Sequence, residues 1–384
     1  MSHFQIPDHI FTGANALQEA APYFSRLGRK AFIVTGKHVG KSEGAQRLKN
    51  TLEEEGIEYT VFDGITGEPE DSMISEGLKK YKESGCDFFI GFGGGSAMDS
   101  AKAIAALSVL GGEIQECMGK SMEGDFPPVA AIPTTAGTGS EATKFTVITD
   151  SRNGVKMLLS GESLIPTLAI LEPAFTIDMP ESVTAYTGMD ALTHAVEAFT
   201  SKKASVLTDV QALSAVNRIM TYLPRAYKDG TDEEARKQMQ LAALEAGICI
   251  NNSSVTLVHG MSRPVGALFH VPHGLSNAML INDCLSFALD GALGRFAALG
   301  RSTKAADEKS SDLKAAEAFL DQIKELCSIC EIPSLREYGI EKSSFLAVTE
   351  KMARDAIASG SCGNTRKTVT QKDCEDIYKK VIEN

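Results

Sequence analysis

The strongest constraint on this chain is an alternation, through its first 170 or so residues, of short apolar runs with amphipathic stretches. Ala31-Phe32-Ile33-Val34-Thr35, Tyr59-Thr60-Val61-Phe62, Asp87-Phe88-Phe89-Ile90-Gly91 and Val129-Ala130-Ala131-Ile132 have the length and β-branched or aromatic content of strands. Each is too apolar to leave one face in water, which predicts a parallel sheet covered on both sides. The stretches between them, Glu43 to Glu55, Asp71 to Ser84 and Ala97 to Leu110, are long enough to serve as helical crossovers. The pattern is therefore βαβ, and the fold class of this half α/β. Phe145 to Thr149 and Val155 to Leu159, separated by Asp150, Asn153 and Gly154, predict a hairpin.

After Leu168-Ala169-Ile170-Leu171 the strand signal ends, and from Pro180 apolar residues recur at three- and four-residue steps. That spacing predicts an all-helical second half. One helix start is predicted at Thr231-Asp232-Glu233-Glu234, with Thr231 as the cap and Glu234 answering it three residues on. The domain boundary is expected near residue 178, giving domains 1–178 and 179–384. At 384 residues the chain has ample length for two such cores.

Charge and composition exclude several partner classes. With 50 acidic against 38 basic residues the net charge is -12, which repels nucleic acid and anionic lipid. The longest apolar runs, such as Ala103 to Leu110, fall far short of the roughly 20 residues that span a bilayer. Residues Met1 to Asp8 carry neither the basic nor the apolar region of an export signal, and the eight cysteines lack disulfide spacing. A cytoplasmic location is expected. Cys327 and Cys330 form the one C-x-x-C, with no second pair nearby to complete a metal site.

Four segments carry candidate chemistry. The strand ending at Gly91 runs into Phe92-Gly93-Gly94-Gly95-Ser96 and then a helical stretch. Glycines let backbone approach a ligand and a helix start offers free amides to an anion, so this loop reads as a diphosphate cradle or as a plain tight turn. Pro133-Thr134-Thr135-Ala136-Gly137-Thr138-Gly139-Ser140-Glu141 follows the next strand, at the carboxyl end where open α/β sheets bind ligands, and reads as a second binding loop or as a Ser/Thr-rich surface turn. Asp190 and His194 stand four apart and so project from one helix face, as an ion-binding pair or as an ordinary surface or core pair. Four of the seven histidines, His194, His259, His270 and His273, fall within one apolar region, where imidazoles need partners and a metal is one such partner.

Taken together, Gly93-Gly94-Gly95-Ser96 with Asp99 and Lys102, Pro133-Thr134-Thr135 with Gly137-Thr138-Gly139-Ser140-Glu141, Asp190 with His194, and His259-Gly260 leading to Pro272-His273-Gly274 resemble the iron-containing (group III) alcohol dehydrogenases. The resemblance implies a Rossmann-like domain followed by an all-α metal-binding domain. It implies a divalent ion, iron(II) with zinc as the alternative, held by Asp190, His194, His259 and His273. It further implies NAD(H) or NADP(H) bound at Gly36, Gly94, Gly95, Ser96, Asp99, Thr134, Thr135, Thr138 and Lys156. The implied reaction interconverts a primary alcohol or diol and its aldehyde. A polyol, glycerol-type or hydroxy-acid dehydrogenase on the same scaffold is the alternative. A small alcohol or aldehyde is the expected substrate, and a homo-oligomer, dimer or higher, the expected assembly.

Two positions depart from the family pattern. Gly36, followed by Lys37 and His38, stands where many members have an aspartate, and Arg263 where many have a second histidine four residues after the one matched by His259. Gly36 offers no carboxylate to a ribose hydroxyl, so NADP(H) is expected to serve as well as NAD(H). A guanidinium does not shuttle protons. Arg263 is therefore expected to act on polar or anionic substrates, with proton transfer running through water or cofactor hydroxyls and His270.

Overall fold

The computed structural model describes residues 3–384, which divide into two compact units, Gln5–Met179 and Pro180–Asn384, the latter joined by His3 and Phe4. In the first unit the strands are β1 (His9–Thr12), β2 (Lys30–Val34), β3 (Glu58–Phe62), β4 (Phe88–Gly93), β5 (Val129–Pro133), β6 (Phe145–Asp150), β7 (Val155–Ser160) and β8 (Leu168–Leu171). Its helices are α1 (Ala16–Leu27), α2 (Glu43–Glu54), α3 (Asp71–Ser84) and α4 (Gly95–Leu110).

Six strands form one parallel sheet in the order β1-β8-β5-β4-β2-β3. Strand alternation sends Phe32, Val34 and Phe89 into one core with Phe62, Ile74 and Ile104. It sends Ala31, Ile33, Phe88 and Ile90 into another with Leu17, Phe24, Leu48 and Leu52. Each such Phe, Val, Leu or Ile contributes roughly 1.5–3 kcal/mol when fully buried. This is the Rossmann-like layering. From β2 the chain runs outward to β3, then returns to β4 on the other side of β2. The order of the strands thus reverses between β2 and β4, the point at whose carboxyl ends open α/β sheets bind ligands. Gly36 follows β2 there, and Gly94 caps α4 just beyond β4.

Structure and sequence reading differ at three points. β3 is an edge strand and leaves Glu58 exposed and Tyr59, Thr60 and Val61 half-buried, so it does have a solvated face. β1 was not anticipated; it is four residues long, with His9 and Thr12 exposed, and it exists because it pairs with the distant β8. The third concerns a helix start in the second unit.

That unit contains α5 (Glu181–Thr200), α6 (Val206–Lys228), α7 (Glu233–Asn252), α8 (Leu257–Phe269), α9 (His273–Ala288), α10 (Leu293–Ser302), α11 (Asp312–Ile329), α12 (Lys342–Ala358) and α13 (Gln371–Glu383). α7 is capped by Asp232, whose carboxylate accepts from Ala235 N–H at 3.0 Å, and not by Thr231. Thr231 is drawn away because its hydroxyl and N–H both donate to Asp229 Oδ1, at 2.7 and 2.9 Å. α5 is the central helix, buried continuously from Gly188 to Thr200. Gly188 allows this closeness, since a Cβ there would lie 2.4 Å from Leu223 Cδ1 on α6. No single helix among the described residues is long and apolar enough to cross a membrane.

Candidate metal centre and cofactor loops

Asp190 and His194 lie one turn apart on α5, both buried. His259 comes from the first turn of α8 and His273 opens α9. Two glycines set these approaches. A Cβ at Gly274 would lie 2.3 Å from Tyr186 O and 3.3 Å from Asp190 Cβ, so only glycine lets the start of α9 abut α5 and deliver its neighbour His273. A Cβ at Gly260 would lie 2.5 Å from Cys362 Sγ, so glycine likewise lets α8 settle with His259 facing α5. Between α8 and α9 the chain turns through His270, which adopts the left-handed conformation at φ 54°.

The resulting cluster is compact. One ligating atom from each of Asp190, His194, His259 and His273 lies within 4.8 Å of all the others. The Nε2 atoms of His194, His259 and His273 stand 3.8, 3.6 and 3.7 Å from Asp190 Oδ1. Burial alone would raise the Asp190 carboxyl, but the imidazoles of His194, His273 and His259 hold it far below the usual carboxylate range. Asn277, one turn into α9, donates from Nδ2 to Asp190 Oδ1 at 2.7 Å and stands 3.1 Å from His259 Nε2. Its Oδ1 is buried without a hydrogen-bond partner. One carboxylate and three imidazoles converging in a buried cluster fit a divalent ion of the iron or zinc type.

Behind His259 lies Glu197, fully buried on α5. Burial would raise its carboxyl too, but His259 and the donors at Thr256 hold it below its ordinary value. Neither Glu197 nor Asn277 was singled out in the sequence. The available signals were helical spacing, Asp190, His194 and Glu197 at steps of four and three, and Asn277 four residues after His273.

The two glycine- and threonine-rich loops meet in the first unit. α4 begins at Gly95, and a Cβ there would lie 2.8 Å from Thr138 Cγ2 and 3.1 Å from Thr138 Oγ1. At Gly94 the nearest atoms would be those of Thr135, at 3.4 Å. Thr134 N–H donates to Gly93 O at 2.9 Å. Backbone without side chains at a helix start is thus brought beside threonine hydroxyls, an arrangement that suits a diphosphate. Lys102, fully buried on α4, ties the second loop down. Its ammonium donates to Ser140 O at 2.5 Å, Thr143 O at 2.9 Å and Phe145 O at 3.1 Å. Burial lowers this lysine to a pKa of about 8, with Asp99 and Glu141 acting in the opposite sense.

Several expected site residues face protein groups. Asp99 Oδ1 accepts from Ser140 Oγ at 2.5 Å and Oδ2 from Val147 N–H at 2.8 Å, so this carboxylate braces the loops. Lys156 pairs with Glu68, at 2.7 and 2.6 Å to its two oxygens. Gly36 forms an isolated bridge with Gly64. Arg263 donates from Nη1 to Ser361 Oγ at 3.0 Å. His270 is exposed, and its backbone oxygen accepts from Tyr338 Oη at 3.4 Å. Cys327 and Cys330 are free thiols, pushed up by burial to about 11 and about 12 respectively, and take no part in the four-residue cluster.

Residues 7–173 match the family described as iron-containing alcohol dehydrogenase, and residues 184–382 the C-terminal region of the Fe-containing alcohol dehydrogenase family. The NAD-dependent methanol dehydrogenase of Bacillus methanolicus is 34% identical over the whole of both chains. A crystal structure of 1,3-propanediol oxidoreductase superposes with a TM-score of 0.95 at 32% identity, covering 99% of this chain and 100% of that one. The sulfoacetaldehyde reductase of Bifidobacterium kashiwanohense, solved with NAD+, superposes with a TM-score of 0.88 at 28% identity, covering 100% and 99%.

Proposed function

Because the chain belongs to the iron-containing alcohol dehydrogenase family, and is an oxidoreductase that interconverts alcohols and aldehydes with a nicotinamide cofactor, we propose that Asp190, His194, His259 and His273 are its metal ligands. The observation that carries this reading is the convergence of their four ligating atoms within 4.8 Å. A divalent ion held there supplies Lewis acidity, which eases loss of an alcohol proton and, in the reverse direction, polarises an aldehyde carbonyl. The nicotinamide supplies the hydride acceptor or donor. Asp190 brings the one negative charge of the set, and the three imidazoles stay neutral as ligands.

Unit Gln5–Met179 is the dinucleotide-binding domain in this reading and Pro180–Asn384 the metal and substrate domain. Gly94, Gly95 and Ser96 present backbone to the diphosphate, Thr134, Thr135 and Thr138 add hydroxyls, and Gly36 lies by the adenosine ribose. Asp99 keeps the loops in register, and Lys156 reaches the cofactor on leaving Glu68. His270, exposed at its turn, takes part in proton exchange with solvent. Arg263 sets a positive charge one turn from His259 and favours polar or anionic aldehydes, a preference compatible with the resemblance to a sulfoacetaldehyde reductase. Eight free thiols among the described residues support a cytoplasmic location. A homo-oligomer is the expected assembly, to be read by sedimentation.

Two measurements test the reading. Iron-reconstituted protein, assayed anaerobically with a panel of alcohols and aldehydes, should turn over primary alcohols or diols. His259→Ala should lose most of its metal and activity while still binding NADH. Full metal content with full turnover in that variant would remove the ligand assignment.

A further inference from the structure

Glu197 is as enclosed as any side chain in the protein, with no exposed surface. It stands on α5 seven residues after Asp190 and three after His194, on the stripe that carries both. Its two oxygens have separate tasks. Oε1 accepts from Thr256 Oγ1 and from Val258 N–H, each at 2.7 Å, at the start of α8. Oε2 lies 2.5 Å from His259 Nδ1. An ionised carboxylate only accepts, so Nδ1 carries a hydrogen, and in the neutral ring that an ion requires Nε2 keeps the lone pair. A second neighbour agrees. The Asn277 amide nitrogen, which also donates to Asp190 Oδ1 at 2.7 Å, stands 3.1 Å from Nε2, a placement compatible with a lone pair there.

We propose that Glu197 is the positioning residue of the metal centre: it fixes the tautomer and the ring plane of His259, so that the lone pair of Nε2 faces Asp190. The proposal rests on the reading of the four residues as metal ligands. A neutral imidazole otherwise divides between two tautomers and rotates about its outer bond, and only one combination offers Nε2 to an ion. Partners that hold the second nitrogen of a ligating histidine typically govern affinity by ~10–100-fold. Here a single helix provides two donors directly and, through Glu197, aims a third from another helix. The Thr256 and Val258 bonds hold the carboxylate itself still.

Glu197→Gln tests this with almost no change of shape. With its oxygen toward Thr256 and Val258, the amide keeps both bonds to α8 and turns an N–H toward His259 Nδ1. Nδ1 must then accept, the ring hydrogen moves to Nε2, and the lone pair leaves the cluster. Zinc(II) affinity, measured by chelator competition on the full chain, should fall ~10–100-fold. Thermal unfolding of the metal-free form and NADH binding should match wild type. Nitrogen NMR of histidine-labelled, metal-free protein, recorded at a pH high enough that the ring is neutral, should find the His259 hydrogen on Nδ1 in wild type and on Nε2 in the variant. Glu197→Asp, which remains an acceptor only, should keep the Nδ1 hydrogen and bind zinc more tightly than Glu197→Gln. Wild type and His259→Ala run alongside. Equal zinc binding by those two sinks the ligand reading itself. If they differ while Glu197→Gln binds within about threefold of wild type and keeps its Nδ1 hydrogen, the positioning role alone is overturned. Should the glutamine variant fail to fold, the aspartate variant decides: a hydrogen on Nε2 there overturns the proposal, and one on Nδ1 upholds it.

Discussion

Replacing Gly95 by alanine perturbs the meeting of the two cofactor loops with a single methyl group. The backbone of Gly95 lies outside the left-handed region, so the substitution tests space and not backbone strain. The new Cβ would stand 2.8 Å from Thr138 Cγ2, against the ~3.5–4.0 Å at which carbon atoms attract. The loops must therefore part by about 0.7–1.2 Å. Thr138 cannot readily swing aside, because its branched side chain is stiff and its Oγ1 accepts from Ser140 N–H at 3.3 Å, a bond worth about 1 kcal/mol. Overpacking of this kind costs ~1–3 kcal/mol. Better helix propensity returns at most ~1 kcal/mol, and less at the first helical residue. If the displaced backbone is what holds the cofactor, the same ~1–3 kcal/mol weakens NADH binding by about 5–150-fold. The assay is NADH fluorescence titration of Gly95→Ala with metal content measured in parallel and expected unchanged. Adding Thr138→Ser removes Cγ2 and keeps the hydroxyl, so the double variant should regain most of the affinity. A Kd within about twofold of wild type for Gly95→Ala, or no recovery in the double variant, would refute the reasoning.

Other outcomes follow from single groups. Gly36 offers no carboxylate to the ribose, so any preference of kcat/KM for NADH over NADPH should stay below ~100-fold, about 2.7 kcal/mol. Arg263→Ala should raise KM for a charged aldehyde more than for a neutral one of similar size; equal effects with unchanged metal would leave only its bond to Ser361. Glu141 is buried and raised from 4.5 to about 7, by burial foremost, against its own backbone N–H and Lys102. The folded chain thus keeps a proton there that the unfolded chain has lost. The stabilisation is full below pH 4.5 and is lost as pH rises to about 7. Glu141→Gln should flatten that decline, worth up to ~3 kcal/mol, in urea unfolding across the window; parallel profiles would contradict it.

The parts of this protein legible in its sequence are those governed by near neighbours. The apolar runs of β2, β4, β5 and β8 announce strands because both their faces are covered. β3 looks similar, yet its place at the sheet edge is a property of the topology. β1 is invisible because its only support is β8, more than 150 residues away. At Thr231-Asp232 either residue can cap, and the choice falls to Asp229, which engages the threonine first. The four histidine and aspartate positions are legible as residue types, whereas their convergence depends on Gly260 and Gly274 meeting surfaces on other segments. Glu197 lacks a local signal for the same reason: its donors come from 59 to 62 residues further on.

The four-residue cluster has one wet edge. The side chains of Asp190, His194 and His259 are 3%, 7% and 2% exposed, while that of His273 is 36% exposed. If the four residues hold an ion as proposed, traffic of ions and chelators passes His273, the one ligand that solvent reaches. A change at His273 itself would then alter both affinity and exchange, whereas a change in the turn before it, which carries no ligand, would act first on the residence time, so that metal stripped in a minute or in a day reports on the doorway more than on the well.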